Sequence, residues 1–417
     1  MTQKNSYSSS ENRVLPQQRA PISRSARSYQ VAFLLLGALA ASTALAQDKP
    51  VNRGSDEVQV EDSAAVLAYW TPDRLSNAKP MDLLEADISM GDGVAAAAAN
   101  VEPQVFVEGQ RPTVNVPARF DGPFIGAAEK PAPLESEMTA FTYVYPFSTY
   151  YNNDFNVYPS NTIGRLFFTL EGTDFSCSAS VIHPHTLVTA RHCVFDYSTG
   201  KFGSNFAFYP DLNNGKADTA IGTGVWTANF AYTWTSGAAG MNYDIGLLAL
   251  HDEDGKGCHG DTGTHPIEYY VGYLGYTYGG NFSQRQWAVF GYPAETNSTD
   301  GNAFNGNWEI RTDAATGNVN DNIGGIYTNT IEIGSDQTGG ASGGPWIIGY
   351  NAGNKTTFTY GSNNTYVANT HGDGNFVNSV NSFKFTSPSH PLAINGPEFD
   401  GYNFLNLLND YEKHACN

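Results

Sequence analysis

The sequence has few cations, few cysteines and, after residue 46, no apolar run long enough to span a bilayer. Its 417 residues include 22 Lys and Arg against 41 Asp and Glu, which gives a formal net charge of −19. Nucleic acids and anionic membranes attract cationic surfaces, so this acidic balance disfavours both as partners. The same charge favours solubility, but it does not select a substrate.

The first 46 residues have the pattern of a secretory signal. A cationic flank precedes the short apolar run Val31–Leu45, and small residues surround the end of that run at Ala44 and Ala46. The run is shorter than the ~20 residues that span a bilayer, although a membrane anchor is the alternative interpretation. Loss of residues 1–46 would remove five cations and one anion and shift the net charge from −19 to −23.

Four cysteines are an even and small number for an exported chain, which predicts two disulfides. Four cysteines allow three pairings, and spacing alone selects none of them. A metal site is the alternative, because His259 and His414 lie near Cys258 and Cys416 in the sequence. Neither pair has the usual zinc-ligand spacing, so we expect no metal ion and no cofactor.

Residues 47–145 differ in composition from the rest of the chain. They are polar and poor in aromatic residues, with short amphipathic stretches at Leu67–Trp70 and Leu83–Ile88 that predict helices. A disordered linker or a small binding module would have a similar composition.

From about Tyr143 the pattern is that of short β-strands separated by Asn-Gly, Asp-Gly and Gly-Asn turns. So many short strands predict paired antiparallel barrels. A helical stripe of apolar residues predicts one C-terminal helix at Phe399–Lys413. The predicted fold class is therefore all-β, two antiparallel β-barrels with a C-terminal helix.

Ser342 lies between two glycine pairs in the stretch Asp336–Trp346. Glycine permits positive φ and close approach of other groups. A nucleophilic serine needs such a loop, because its Oγ must be accessible and backbone N–H groups must face the carbonyl under attack. Gly340 and Ser342 are the candidate donors of these N–H groups. A tight turn in a glycine-rich protein is the alternative.

Two further motifs precede this serine. His192 follows the apolar strand Thr186–Ala190, and Asp244 precedes the apolar run Ile245–Leu250. A surface histidine and a solvated turn aspartate are the alternatives. The acidic residues 252–254 form a polar turn, so we expect them to be solvated. In the order His, Asp, Ser the three motifs resemble those of the chymotrypsin-like serine peptidases, and most of all their secreted bacterial, glutamyl-endopeptidase-like branch.

This resemblance covers about the last two-thirds of the chain and implies a serine endopeptidase domain at residues 146–417, with barrels at about 150–255 and 260–400. It implies that Ser342 is the nucleophile, His192 the general base and Asp244 the residue that orients it. It also implies that residues 47–145 form a pro-region, and that Cys177 pairs with Cys193, which leaves Cys258 for Cys416.

Two residues depart from the family pattern. Arg191 precedes the histidine, where the family usually has a small residue. Ala341 precedes the serine, where trypsin-type enzymes have an aspartate that pairs with a new N-terminus after activation. Alanine makes no such ion pair, so we expect activation by another route, such as removal of an inhibitory pro-region.

By the same resemblance, Asp336, Gln337 and Thr338 begin the wall of the substrate pocket, and residues 368–374 form the opposite wall. His371 and Thr338 would bind a substrate carboxylate, which predicts cleavage after Glu or Asp. The charge of Asp336 favours the alternative, a preference for Arg or Lys.

The predicted protein is a secreted, extracellular or periplasmic monomer that acts on polypeptides. An inactive protease-like binding or adhesion module is the alternative, since Arg191 and Ala341 both depart from the family pattern.

Overall fold

A computed structural model describes most of the chain after residue 60. The described residues are 61–86, 102–125, 145–235, 240–256, 264–280, 282, 285–299, 301–319, 322–323, 326–327, 329–351, 357–360, 364–367, 374–386 and 392–415. All of them belong to one compact unit, Asp48–Asn417. The predicted secretory signal lies outside the described residues. None of the helices in these ranges has the length and apolarity that crossing a membrane requires.

Two short helices and three short strands come first, all within the predicted pro-region. They are α1 (Ser63–Tyr69), α2 (Pro72–Asn77), β1 (Lys79–Pro80), β2 (Leu84–Ala86) and β3 (Val105–Val107). Asp62 caps α1 by accepting the Ala64 N–H, and α2 begins with Thr71 as N-cap and Pro72 in its first turn.

The helix predicted at Leu67–Trp70 overlaps α1, but the helix predicted at Leu83–Ile88 is wrong. There β2 forms instead, because a strand of the main domain pairs with this segment and outweighs its local helical pattern.

The first half of the main domain is a closed six-stranded barrel. Its ring runs β6, β5, β10, β11, β12 and β7, and closes because β6 also pairs with β7. The strands are β5 (Ile163–Leu170), β6 (Thr173–His183), β7 (Thr186–Thr189), β10 (Ser204–Pro210), β11 (Trp226–Thr233) and β12 (Gly246–Leu250). Every residue of β5 and β12 is buried, so their apolar side chains fill the core. The parallel strand β1 adds to β6 outside the ring.

The second half is a sheet of eleven strands, in the order β2, β23, β24, β18, β15, β14, β19, β22, β13 and β3, with β4 paired to β15. Its remaining members are β4 (Phe147–Tyr151), β13 (Gly275–Tyr278), β14 (Gln286–Gly291), β15 (Ile310–Val319), β18 (Thr330–Gly334), β19 (Pro345–Ile348), β22 (Phe376–Val380), β23 (Phe383–Phe385) and β24 (Ala393–Pro397). Both outermost strands, β2 and β3, come from the predicted pro-region.

The described residues also contain three two-stranded hairpins and several short helices. The hairpins are β8 (Phe195–Asp196) with β9 (Lys201–Phe202), β16 (Asn322–Ile323) with β17 (Ile326–Tyr327), and β20 (Thr357–Tyr360) with β21 (Asn364–Val367). The helices are the 3₁₀ turns Ser160–Thr162, Arg191–Cys193 and Met241–Tyr243, and α3 (Glu268–Val271).

The predicted C-terminal helix is present as a π-helical turn, Gly401–Leu405, followed by α4 (Asn406–Tyr411). Asp400 caps its start in a capping box with Asn403. Its apolar stripe packs on the first barrel, and the Tyr411 hydroxyl lies 3.0 Å from Thr186 Oγ1 in β7. The predicted fold class is confirmed: the protein is mostly β, with a barrel, a second large sheet and a C-terminal helix.

Candidate active site

His192 lies in the 3₁₀ turn that follows β7, and covalent and hydrogen-bonded connections fix this turn. A disulfide joins Cys193 to Cys177 in β6, with a Cα–Cα distance of 6.3 Å. The His192 backbone N–H donates to Asp244 Oδ1 at 2.9 Å, while His192 Nδ1 lies 2.8 Å from Asp244 Oδ2. The ring therefore has a defined orientation, in which Nε2 is the nitrogen left to exchange a proton.

Asp244 reaches His192 because β12, which begins two residues later, pairs with β7. The Asp244 side chain is fully buried, and burial alone would raise its pKa. The charge and hydrogen bond of His192, the charge of Arg191 and a hydrogen bond from Ser382 outweigh burial and hold the pKa of Asp244 below its ordinary value. The carboxylate is therefore ionised at neutral pH.

Arg191, the first departure from the family pattern, places its guanidinium against an aromatic side chain. Its guanidinium carbon lies 5.0 Å from the centre of the Tyr197 ring, a cation–π contact. Burial lowers the pKa of Arg191 while the charge of Asp244 raises it. The cation thus adds to the electrostatic support of the Asp244 carboxylate.

Ser342 is in a loop that β6 holds against the first barrel. Ser178 N–H donates to the Ser342 carbonyl at 2.7 Å, and the Ser178 hydroxyl donates to the Gly340 carbonyl at 2.9 Å. Gly340 and Gly343 have φ of +91° and +82°. A Cβ on Gly343 would lie 2.0 Å from Thr189 Oγ1, so glycine permits the close approach to the turn that carries His192.

The Ser342 hydroxyl contacts the predicted pro-region. Residues 79–86, which we call the strap, cross the site in an extended conformation. Ser342 Oγ lies 3.4 Å from the Met81 carbonyl oxygen and 3.5 Å from the Asp82 carbonyl oxygen, and Gly340 N–H donates to the Met81 oxygen at 2.8 Å. Within the described part of the chain, His192 Nε2 has no hydrogen-bond partner.

The structure thus brings His192 and Asp244 into direct contact. Ser342 lies in a loop that packs against the histidine turn, but in this state its hydroxyl bonds to the strap and not to the imidazole. Hydrogen bonds between candidate catalytic side chains are often long or poorly aligned before substrate binds.

All three predicted pocket residues on this side make internal hydrogen bonds, and two of them, Asp336 and Gln337, are buried. Asp336 is 1% exposed, and its carboxylate accepts from the Thr149 hydroxyl at 2.6 Å and from Asn302 Nδ2 at 2.7 Å. Gln337 Nε2 donates to Thr312 Oγ1 at 3.1 Å. Thr338 is partly exposed, and its hydroxyl donates to the Glu295 carbonyl at 3.0 Å.

Some predictions lie outside the described residues. They are the opposite pocket wall at 368–373, including His371, and the pairing of Cys258 with Cys416. Among the described residues, Cys177, His192 and Cys193 have the spacing of a metal site, but the disulfide occupies both sulfurs.

Sequence reasoning missed Ser382 and was wrong about Asp252. The Ser382 hydroxyl donates to Asp244 Oδ2 at 2.5 Å, although no motif surrounds it in the sequence. Asp252 does not lie in a solvated turn. It is 3% exposed, with Oδ1 3.4 Å from His185 Nδ1, because the strand β12 carries the chain into the barrel wall just before it.

The His192–Asp244 pair therefore lies beside the Ser342 loop, where a closed six-stranded barrel meets a second large sheet. No family model matches the chain. A stretch of 104 residues, 25% of the chain, is 33% identical to the glutamyl endopeptidase of Bacillus licheniformis and spans 28% of that protein. The predicted resemblance to the glutamyl-endopeptidase-like branch is confirmed by this match.

Solved structures that are similar to the chain include three peptidases. The protease Anisep from Arthrobacter nicotinovorans is 26% identical, with a TM-score of 0.44 over 60% of this chain and 95% of its own. The thermostable serine protease AL20 from an extremophilic microorganism is 26% identical, with a TM-score of 0.43 over 59% and 97%. A Glu endopeptidase is 14% identical, with a TM-score of 0.43 over 64% and 96%.

Proposed function

We propose that this chain is the precursor of a serine endopeptidase. The observation that carries the proposal is a convergence on one atom: the Gly340 N–H and the Ser342 hydroxyl both contact the Met81 carbonyl oxygen. A peptide carbonyl in this position has an oxyanion donor on one side and a nucleophile on the other. The match to a glutamyl endopeptidase supports the same class.

In the proposed reaction, Ser342 Oγ attacks the substrate carbonyl carbon while His192 Nε2 takes the hydroxyl proton. Asp244 holds the imidazole by Nδ1 and stabilises the imidazolium. The Gly340 and Ser342 N–H groups stabilise the oxyanion. His192 then gives the proton to the leaving amine, the C–N bond breaks, and water releases the acyl group from Ser342 by the same steps.

For the substrate, we propose cleavage after Glu or Asp. The name of the curated relative supports this preference. The alternative, cleavage after Arg or Lys, would need a free carboxylate in the pocket. The Asp336 carboxylate instead accepts hydrogen bonds from Thr149 and Asn302, which leaves it poorly placed to bind a substrate cation. Thr338 and His371 are the residues that we propose bind the substrate carboxylate.

The test compares Ser342→Ala with Ser198→Ala, a substitution at an exposed serine. We expect Ser342→Ala to lower kcat/KM on a mixed peptide library by at least about 10⁴-fold, and Ser198→Ala to have no effect. A fluorophosphonate should label Ser342 alone. Both variants are measured in the mature form, without residues 1–145. Hydrolysis by Ser342→Ala at the wild-type rate would disprove the proposal, and a folded mature chain that neither labels nor hydrolyses would indicate the inactive module.

We further propose that residues 1–46 direct export to the extracellular space or periplasm, that residues 47–145 act as a pro-region, and that the mature enzyme is a monomer acting on polypeptides. The N-terminal sequence of the secreted form would test both cleavage sites, and its sedimentation would test the oligomeric state.

A further inference from the structure

The strap adds to both halves of the domain as a strand. At its N-terminal end, β1 pairs with β6 in register Lys79 to Phe175, and Met81 N–H donates to the Ser176 carbonyl at 2.9 Å. At its C-terminal end, β2 pairs with β23 in register Leu84 to Phe383. The Leu84 N–H donates to the Ser382 carbonyl at 3.0 Å. The strap is therefore bonded on each side of Ser342.

Side chains strengthen this backbone attachment. Leu83 is 4% exposed and packs in the core of the second sheet, and Ala86 is also 4% exposed. At the rim, Lys384 Nζ lies 3.4 Å from Glu85 Oε1. Leu83 is thus an apolar anchor, whereas the exposed ion pair contributes little.

The chain direction of the strap distinguishes it from a substrate. His192 must protonate the leaving amine, so the half of a substrate that follows the cut bond has to lie on the side of the histidine turn. The Cys177–Cys193 disulfide fixes that turn to β6, next to Ser176. A substrate would therefore place its C-terminal half along β6 and its N-terminal half along β23.

The strap has the opposite arrangement, because its N-terminal half lies on β6 and its C-terminal half on β23. Consistent with this direction, both of its pairings are parallel. The bond that follows the Met81 carbonyl leads toward β23 and away from the histidine turn. The amine of Asp82, which would leave after attack at Met81, therefore lies on the side away from His192 and lacks the proton donor that its departure needs.

We propose that the strap is a built-in inhibitor that fills the active site in the direction opposite to a substrate, with the Met81 carbonyl at the oxyanion donor and the Met81–Asp82 bond uncut. This inference rests on the proposed function. It assigns inhibition to residues 79–86 in particular, and it explains how Ser342 is kept from His192 in the precursor. Release of the strap frees both Gly340 N–H and Ser342 Oγ.

The experiment uses the intact chain and the rate at which a fluorophosphonate labels Ser342. Leu84→Pro removes the N–H that bonds to Ser382 and should speed labelling by about 10-fold or more, since it removes a ladder bond and displaces the flanking residues. Lys79→Ala, at an exposed side chain of the same strap, is the matched control and should stay within about 2-fold. Equal labelling of wild type and a folded Leu84→Pro chain would overturn the proposal.

The direction of binding is tested by adding a synthetic peptide of residues 79–86 to the Leu84→Pro chain. The peptide carries Asp82→Asn and Glu85→Gln, which remove the two residues after which the proposed enzyme would cleave. We expect the peptide to slow labelling in a concentration-dependent manner and to be recovered intact by mass spectrometry. Cleavage of the bond after Met81 would show that the segment binds in the direction of a substrate. That result would contradict the proposed reversed binding.

A measurement independent of activity separates this inference from the proposed function. In the wild-type chain, hydrogen exchange at the Met81, Leu84 and Gly340 amides should be at least about 100-fold slower than in an unfolded peptide, because all three are bonded. Exchange of these amides at the rate of an unfolded peptide would overturn the proposed strap, even if the enzyme proved active. Protected amides in the wild-type chain, together with a folded Leu84→Pro chain that neither labels nor hydrolyses, would support the strap and disprove the enzymatic function.

Discussion

The Ser382 hydroxyl donates to Asp244 Oδ2 at 2.5 Å, on the same carboxylate oxygen that faces the His192 ring. The Ser382 carbonyl also accepts the Leu84 N–H from the strap. Ser382, in the second half of the domain, thus hydrogen-bonds both to the Asp244–His192 pair of the first half and to the strap.

Ser382→Ala should therefore weaken catalysis without unfolding the protein. A hydrogen bond to a charged group contributes about 1.5–3 kcal/mol, which corresponds to a loss of about 10- to 150-fold in kcat/KM. Its loss should also raise the pKa of Asp244, because one of the contacts that lower it is removed. Kinetics across pH would check both effects. Unchanged kcat/KM with a folded variant would show that Ser382 has no positioning role.

Gly343→Ala should displace the loop that carries Ser342. The new Cβ would lie 2.0 Å from Thr189 Oγ1 and 2.4 Å from the Ser178 carbonyl. Gly172→Ala is a matched control, because Gly172 also has positive φ, +75°, yet a Cβ there meets nothing within 4 Å. We expect the control to lose only about 1 kcal/mol and Gly343→Ala to lose more than about 3 kcal/mol or fail to fold. Similar urea midpoints for the two variants would contradict the steric explanation.

Removal of the Cys177–Cys193 disulfide should destabilise the fold and the histidine turn together. The bond closes a loop with a sequence separation of 16, for which the expected stabilisation is about 3 kcal/mol. The double variant Cys177→Ala/Cys193→Ala should unfold at lower urea, and its kcat/KM should fall even where it is folded. Equal unfolding free energies with and without the bond would refute the first expectation.

Asp336→Asn should lower stability and leave cleavage preference unchanged. The substitution turns one acceptor into a donor that faces either Asn302 Nδ2 or the Thr149 hydroxyl, and loses about 1.5–3 kcal/mol. Asp254→Asn, at an exposed carboxylate, is the control. Peptide-library cleavage should be the same in both variants. Loss of cleavage after Arg or Lys in Asp336→Asn would instead identify Asp336 as the pocket base.

The raised pKa of the buried Glu309 side chain predicts how the free energy of unfolding varies with pH. Burial raises its pKa to about 8, against hydrogen bonds from Asn152, Ser160 and Tyr292 that lower it. A raised pKa in the folded state means that the protonated acid stabilises the fold fully below the ordinary value of 4.5, and that this contribution is lost as pH rises through about 8. Glu309→Gln does not titrate, so it should match wild type at pH 5 and unfold at a higher temperature at pH 9. A higher unfolding temperature for wild type than for Glu309→Gln at pH 9 would contradict this prediction.

Much of the fold could be read from local patterns. Apolar stretches predicted the strands around Thr186–Ala190 and Ile245–Leu250, because a strand in a barrel wall must bury a regular set of side chains. The His192 and Asp244 motifs lay at the ends of two such strands, and β7 pairs with β12, so the two side chains meet. The prediction at Leu83–Ile88 was wrong because pairing with β23 decides that segment.

What the sequence by itself determined is the order of the histidine, aspartate and serine motifs, the glycines that the serine loop needs, and the β class of the main domain, since each depends on neighbouring residues. Only the tertiary structure decided the role of Ser382, the internal bonding of Asp336 and the position of the strap. Ser382 and Asp244 are 138 residues apart, and Ser342 and Met81 are 261 apart. A single hydrogen bond between residues so far apart in the sequence needs no local motif, so no sequence pattern predicts it.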